Sequence, residues 1–270
     1  MIKKILKYVK RFLILVVGVS SLYLVNLFLM KPFSIDHFLG KELVVDLIDS
    51  PEALTYIGIF DRFNWITKHN SRLTIPGDND IKEEIEGLEK SIKTLYKYKD
   101  SRLTDVQKNT KKIAIFDYEN NLKELREFPF HDYPLNQIGG IHLNTIEFLS
   151  DMHPVRNISE AEGFIKRVNL IKEVYEGTLK DLEKQADTGI YPPEFVYDHV
   201  IEQLNEFINF TYEEHPLFTQ FMKKVNDLDI TIEEMASLEE AIKSGIDESV
   251  TPGFVLLRDF MVRTQKNANK

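Results

Sequence analysis

The chain has 270 residues, with 34 Lys and Arg against 43 Asp and Glu, no cysteine, 43% apolar residues and 29% charged residues. This composition excludes a disordered chain, a small disulfide-stapled protein and any site built on cysteine thiolates. Residues 1–31 hold six bases and no acid, which leaves 28 bases against 43 acids for the rest. An acidic body lacks the clustered cations that bind DNA or RNA phosphates, so no nucleic-acid partner is expected.

Residues 12–30 form an uncharged, mostly apolar run of nineteen residues. At about 1.5 Å per residue, this run matches a hydrocarbon core about 30 Å thick. Five bases precede it and should stay cytoplasmic, so we expect a single-pass signal anchor over 1–31 with the body on the extracytoplasmic side, periplasmic or extracellular. The alternative is a cleaved signal peptide, but that class has a shorter apolar core and an alanine-type cleavage site, and the first alanine is Ala53.

Beyond residue 31 the apolar residues follow helical spacing nearly throughout, which predicts an all-α, multi-helix domain over 32–270. Capping boxes at Ser159/Glu162 and Thr231/Glu234 mark two helix starts, and Gly189 suits the residue after a helix end. The predicted helices are, in chain order, 81–96, 106–128, 159–189, 193–208, 231–242 and 251–265.

Residues 128–154 show no clear periodicity and are rich in aromatic residues, Asn and His, with a Gly139–Gly140 pair. A loop of this length in a compact domain is usually functional, or it hides a short element that the pattern fails to reveal. A short helix over Thr145–Met152 is the second interpretation.

The sequence contains none of the common catalytic motifs. Glycine-rich phosphate loops, the G-x-S-x-G nucleophile elbow and the zinc-binding H-E-x-x-H pattern are all absent. The nearest arrangement, His199 with Glu202, is one imidazole and one carboxylate on one helix face, which is no complete site. We therefore predict no catalytic residue and no metal ligand in this chain.

Four separate blocks nevertheless resemble a known family. They are SPEALTYIG at 50–58, FHDYPLNQIGG at 130–140 with His153–Pro154 beyond it, EGFIKRV at 162–168, and GIYPPEFV at 189–196. In order and spacing they are similar to the N-terminal half of the bacterial domain of unknown function 885 family. The likeness extends over about residues 47–260.

The resemblance implies a mostly helical, often exported protein grouped with gluzincin-type zinc peptidases through an H-E-x-x-H-like motif in its C-terminal half. That half has no counterpart here, so whether the chain is an enzyme is open. The resemblance implies zinc as the metal of a full-length member. For this chain we expect no cofactor. We expect a truncated, membrane-anchored portion that forms a wall of a substrate cleft, with a peptide substrate or a C-terminal catalytic half as partner. The alternative is a stand-alone helical module that binds a peptide or protein outside the cytoplasm.

In that resemblance the segment 133–142 would line the substrate cleft. Two amide side chains would contact a peptide backbone, and two glycines would allow its close approach. The predicted substrate-binding residues are Tyr133, Asn136, Gln137, Gly139, Gly140 and His142. A truncated protein should also expose an apolar face on the helices after Thr231.

Overall fold

The computed structural model describes residues 2–76 and 81–268. It is 78% helical, and the described residues contain no β-strand, which confirms the all-α prediction. The α-helices are α1 (Ile2–Leu29), α2 (Ile35–Asp49), α3 (Pro51–Ile57), α4 (Asn64–Thr67), α5 (Ile81–Tyr96), α6 (Asp105–Glu127), α7 (Ile141–Glu147), α8 (Ile158–Asp187), α9 (Glu194–Asn209), α10 (Pro216–Val225), α11 (Ile232–Gly245) and α12 (Thr251–Thr264). Two π-helical turns, Phe148–Met152 and Ile246–Val250, continue α7 and α11.

Helix α1 carries the predicted apolar run. Its segment Leu6–Leu29 has a mean hydropathy of 2.4 and is long enough to cross a membrane. Only 6% of the most apolar stretch is buried, so it is not the core helix of a folded domain. Length and composition therefore fit a membrane anchor or a signal sequence.

The chain divides into two compact units. Unit 1 comprises residues 1–46 and 81–127, and unit 2 comprises residues 47–80 and 128–270. Residues 32–270, predicted as one helical domain, thus contribute to both. Unit 1 has a small core in which α2 meets the end of α5, formed by Ile35, Phe38, Leu95 and Tyr98.

Helix α8 organises unit 2. Its apolar positions, among them Phe164, Val168 and Ile171, are fully buried, and α11 and α12 pack against it. Helix α12 also packs on α9, where the rings of Phe207 and Phe254 stack with centroids 4.9 Å apart. Burial of these apolar side chains is the main stabilising contribution to the unit.

Two glycines of α8 allow the chain segment 69–76 to lie directly on the helix. A Cβ atom on Gly163 would lie 2.8 Å from the carbonyl oxygen of Asn70, and one on Gly177 would lie 2.1 Å from that of Pro76. The two glycines are fourteen residues, or about four turns, apart, so they share one face of α8. Because any side chain at these two positions would overlap the backbone of segment 69–76, only glycine allows this close packing.

Most predicted helix boundaries agree with the structure. The capping box at Thr231 is present, and Gly189 has a positive φ of 79° after α8. The predicted capping box at Ser159 is wrong. The N-cap of α8 is Asn157, whose side chain accepts a hydrogen bond from the amide of Glu160, because an asparagine two residues upstream caps equally well.

The segment 128–154 is more ordered than its sequence indicates. Helix α7 begins at Ile141, four residues before the short helix that the sequence allowed, and the π-helical turn extends it to Met152. The irregular part is therefore confined to residues 128–140.

The apolar face expected after Thr231 is not found in the described part of the chain. The large apolar side chains exposed there are Ile232 and Val262, whereas Leu238, Ile242 and Leu257 are buried. The physical reason is that α11 and α12 turn their apolar faces onto α8 and α9.

Replacement of Gly177 by Ala should destabilise unit 2. The added methyl would overlap the Pro76 carbonyl, and overpacking of this kind costs about 1–3 kcal/mol, which exceeds the helix-propensity gain of up to about 1 kcal/mol. Gly87→Ala is the matched control, because Gly87 also lies in a helix and has no atom within 4 Å of an added Cβ. Thermal unfolding of the two variants should show a lower midpoint for Gly177→Ala alone. Equal midpoints would contradict the close packing on α8.

Candidate functional site

A fully buried arginine lies at the centre of unit 2. Arg167 projects from α8 and is 0% exposed. Its guanidinium donates hydrogen bonds from Nε, Nη1 and Nη2 at 2.8–3.3 Å. The acceptors are the carbonyl oxygens of Pro51, His69 and Arg72, the hydroxyl of Thr55 and Nδ1 of His153. We call these six residues the Arg167 cluster.

Burial lowers the pKa of Arg167 to about 10, so the side chain stays charged at neutral pH. A buried charge is tolerated only when its donors are satisfied, and here every guanidinium nitrogen has an acceptor. The cluster therefore ties α8 to α3, to the segment 69–72 and to the residue after the π-helical turn.

The tautomer of His153 follows from its two partners. Its Nδ1 accepts from Arg167 at 2.8 Å, so Nε2 carries the proton and donates to the carbonyl of Glu160 at 3.2 Å. Burial, with a further contribution from the Arg167 charge, lowers the pKa of His153 to about 3. His153 is therefore neutral and has no free ring nitrogen.

The cluster continues through Thr55 to Asn70. The Thr55 hydroxyl accepts from Arg167 and lies 2.9 Å from Oδ1 of Asn70, to which it donates. Asn70 is 1% exposed, and its Nδ2 has no hydrogen-bond partner among the described residues.

An apolar cleft of about 320 Å³ opens beside the Arg167 cluster. Residues from α3, the segment 73–76, α7, the π-helical turn and α8 line it: Glu52, Tyr56, Leu73, Thr74, Pro76, Ile141, Asn144, Thr145, Phe148 and Val174. At its edge the Glu52 carboxylate accepts from the amide and the hydroxyl of Thr74 at 2.7 and 2.8 Å. This pair fixes α3 to the extended segment.

Phe148 belongs to both features. Its ring lies 4.9 Å from the Arg167 guanidinium and 5.3 Å from the ring of Tyr56, which is half exposed at the cleft. The aromatic ring thus separates the buried charge from the cleft, and the cation–π contact adds to the stabilisation of the charge.

The six predicted substrate-binding residues lie immediately before and at the start of α7. The Asn136 side chain accepts from the amides of Ile138 and Gly139 and donates to the carbonyl of Tyr133, so its amide group closes the turn. Gly139 in turn accepts, through its carbonyl, a hydrogen bond from Asn144 in the cleft wall. None of the six lines the apolar cleft.

The structure brings Gln137 and His142 together through a residue that the sequence analysis did not single out. Gln203 of α9 donates to the carbonyl of Gln137 at 3.1 Å and pairs through Oε1 with Nε2 of His142 at 3.0 Å. His142 is fully buried, and burial lowers its pKa. A Cβ on Gly140 would lie 2.6 Å from the Asn136 carbonyl oxygen, so glycine is needed there. Tyr133 contacts the carbonyl of Tyr191 at 3.5 Å, away from the cleft.

The Arg167 cluster was not predicted, although its signal is present in the sequence. Arg167 interrupts the apolar face of α8 in the block EGFIKRV, Pro51 and Thr55 lie in the block SPEALTYIG, and His153 belongs to the pair that follows the block FHDYPLNQIGG. Three of the family-like blocks therefore converge on one buried guanidinium. No group of three or more His, Asp or Glu suited to a metal ion occurs within residues 2–76 and 81–268.

The described residues thus define an all-α protein whose larger unit is organised by a buried arginine and opens into an apolar cleft. The chain belongs to the family described as bacterial protein of unknown function (DUF885), whose sequence profile matches residues 51–270. A crystal structure of "the putative lipoprotein from Colwellia psychrerythraea" is similar over 83% of this chain, with a TM-score of 0.68 and 16% sequence identity. The match covers 40% of that protein, and the likeness shows a shared fold. None of the curated proteins matches the chain.

Acidification below about pH 6.5 should destabilise unit 2 through its buried histidines. Burial lowers the pKa of His153 to about 3 and that of His215 to about 4, from 6.5. Below about pH 6.5 the unfolded chain binds protons that the folded chain does not, so the free energy of unfolding falls as pH drops. Each such histidine contributes about 1.4 kcal/mol per pH unit.

His215→Asn tests this dependence without loss of the helix cap. Nδ1 of His215 accepts from the amide of Leu217 at the start of α10, and asparagine also caps helices well. Chemical unfolding at several pH values between 6.5 and 4.5 gives the slope of the free energy of unfolding against pH. For this variant the slope should be flatter by the equivalent of about one proton. An unchanged slope in His215→Asn would contradict a neutral buried imidazole.

Proposed function

We propose that the chain is a membrane-anchored helical module that binds an apolar side chain of a peptide in the cleft and does not hydrolyse it alone. The apolar cleft carries this proposal. Its volume of about 320 Å³ lies at the lower end for ligand sites, which suits one or two apolar side chains. Leu73, Ile141, Phe148 and Val174 supply the apolar surface.

The location of the module is part of the proposal. Helix α1 would remain in the bilayer as a signal anchor, with the five N-terminal bases in the cytoplasm and the chain after residue 31 on the extracytoplasmic side. A peptide in the cell envelope would then reach the cleft directly.

The imidazoles beside the cleft support a binding role over catalysis. A general base needs a free ring nitrogen within reach of the proton that it removes. Both nitrogens of His153 are occupied, and His69 contacts Thr67 through Nδ1 and Asp61 through Nε2. These two imidazoles therefore hold structure and have no ring nitrogen free to act as a base.

A second candidate is the N-terminal portion of a zinc-dependent peptidase, in which the cleft forms one wall of a longer active site. Two observations favour it. The chain belongs to a family that the sequence analysis associates with such enzymes, and the matched crystal structure is a longer chain of which this fold covers 40%. In this candidate the catalytic half is a partner that supplies the zinc ligands, and residues 133–142 extend the substrate-binding wall.

Val174→Phe should block peptide binding by filling the cleft. Val174 lies on α8 and lines the cleft, so a larger ring would occupy the space of the ligand. The probes are fluorescent tetrapeptides that differ only in a central Leu, Phe or Asp. Anisotropy should show binding of the Leu and Phe peptides by the full chain in micelles, and a loss of about tenfold or more in Val174→Phe. Burial of one apolar side chain accounts for such a loss.

Val262→Phe is the matched control, because Val262 is exposed on α12 outside the cleft and should leave peptide affinity unchanged. Equal binding of the Asp peptide, or full affinity in Val174→Phe, would refute the assignment of the cleft. Zinc content and peptide hydrolysis measured on the same preparation separate the candidates. Binding without stoichiometric zinc or turnover is expected of this chain, whereas chelator-sensitive turnover would overturn the non-catalytic role.

A further inference from the structure

A second cavity lies in unit 1, where α1 ends. It has a volume of about 690 Å³, and we call it the anchor groove. Phe28, Leu29 and Met30 line it on one side, the first turns of α2 line it on another, and one face of α5 closes it. None of these residues belongs to the apolar cleft of unit 2.

The position of the anchor groove relative to α1 is fixed by polar contacts. The Asn26 side chain donates to the carbonyl of Lys31 at 3.0 Å and accepts from the amide of Phe33 at 2.9 Å. Tyr98 donates to the carbonyl of Pro32 at 2.8 Å, and its ring lies 4.0 Å from the Lys31 ammonium. An embedded α1 would therefore hold the groove at the depth where the hydrocarbon core gives way to lipid headgroups.

Three lysines face the anchor groove, two of them in α5 and the third directly after it. Lys90, Lys93 and Lys97 are spaced three and four residues apart, so they form one line along the helix. Lys97 lies nearest to the end of α1, because its carbonyl accepts a hydrogen bond from Lys31. Lys90 is about 10 Å further along the helix axis.

The balance of charge in the anchor groove favours an anion. Of its carboxylates, Glu42 pairs with Lys41 and accepts from Ser91, and Glu89 pairs with Lys93 and with Arg126. Glu86 is the remaining acid of the lining. The ammonium groups of Lys90 and Lys97 have no hydrogen-bond or ion-pair partner in the described part of unit 1.

Lysines at a helix C-terminus also complement the helix dipole, which accounts for Lys93 and Lys97. That effect falls off within the last turn, so it accounts neither for Lys90 nor for the apolar side of the groove. The exposed Phe28, Leu29 and Met30 add a surface that suits an acyl chain. A ligand with an apolar chain and an anionic head satisfies both sides.

We propose that the anchor groove binds one anionic membrane phospholipid, with its phosphate at Lys97 and Lys90 and its acyl chains along the end of α1. This inference rests on the membrane anchoring in the proposed function. The phosphate would sit where the embedded helix leaves the hydrocarbon, and the lipid would fix unit 1 at the surface of the bilayer.

The test uses the full chain in a neutral detergent. Short-chain phosphatidylglycerol, short-chain phosphatidylcholine and glycerol phosphate are the probes, and native mass spectrometry counts the bound molecules. One bound phosphatidylglycerol is expected, at an affinity about tenfold or more above that of phosphatidylcholine, and Lys90→Gln/Lys97→Gln should abolish this preference. The control variant Lys112→Gln/Lys123→Gln removes the same charge from exposed positions of α6 and should keep the preference for phosphatidylglycerol.

Equal binding of the two lipids, or a preference that survives in Lys90→Gln/Lys97→Gln, would overturn the site. If glycerol phosphate binds as tightly as phosphatidylglycerol, the proposed contact of the acyl chains with Phe28, Leu29 and Met30 is wrong. Extraction of cell membranes with alkaline carbonate tests the anchor separately. Release of the wild-type chain would refute anchoring, whereas the lipid titration in micelles decides the groove by itself.

Discussion

The structure of unit 2 depends on a buried positive charge. Arg167 is fully enclosed, and its direct hydrogen-bond acceptors in the described structure are three carbonyls, one hydroxyl and one imidazole, with no carboxylate among them. Removing an ion from water costs several kcal/mol unless each donor finds a partner. All five acceptors must therefore be held in place together, and that requirement joins α3, segment 69–72 and His153 to α8.

The same constraint builds the cleft. The segment held by Arg167 through its carbonyls continues into Leu73 and Thr74, which form one side of the cleft, and Gly177 lets its far end lie on α8. Phe148 completes the other side while it covers the guanidinium. A polar cluster that is costly to break thus gives a rigid frame to an apolar surface, and such a frame would reduce the ordering cost of the ligand binding that we propose.

Much of the fold could be predicted from the sequence, because helical periodicity and the Thr231 capping box are local signals. The side of a helix that is buried was harder to predict. Helix α6 exposes Ile113 and Phe116 and buries Lys111, whose ammonium reaches the carbonyl of Tyr98. The cleft also could not be predicted, since it depends on long-range contacts such as that between Arg167 and Arg72, which are 95 residues apart in the sequence. The predicted contacts of residues 133–142 with a substrate stay a prediction.

Native-state hydrogen exchange of the full chain and of Arg167→Met tests most directly whether the buried charge holds the cleft. The decisive amide is that of Thr74, which donates to Glu52 in the cleft wall, and the amides of α12 serve as the internal reference. We predict that Thr74 loses protection by about tenfold or more in the variant, whereas α12 keeps its protection. Unchanged protection at Thr74, or an equal loss throughout α12, would contradict the account.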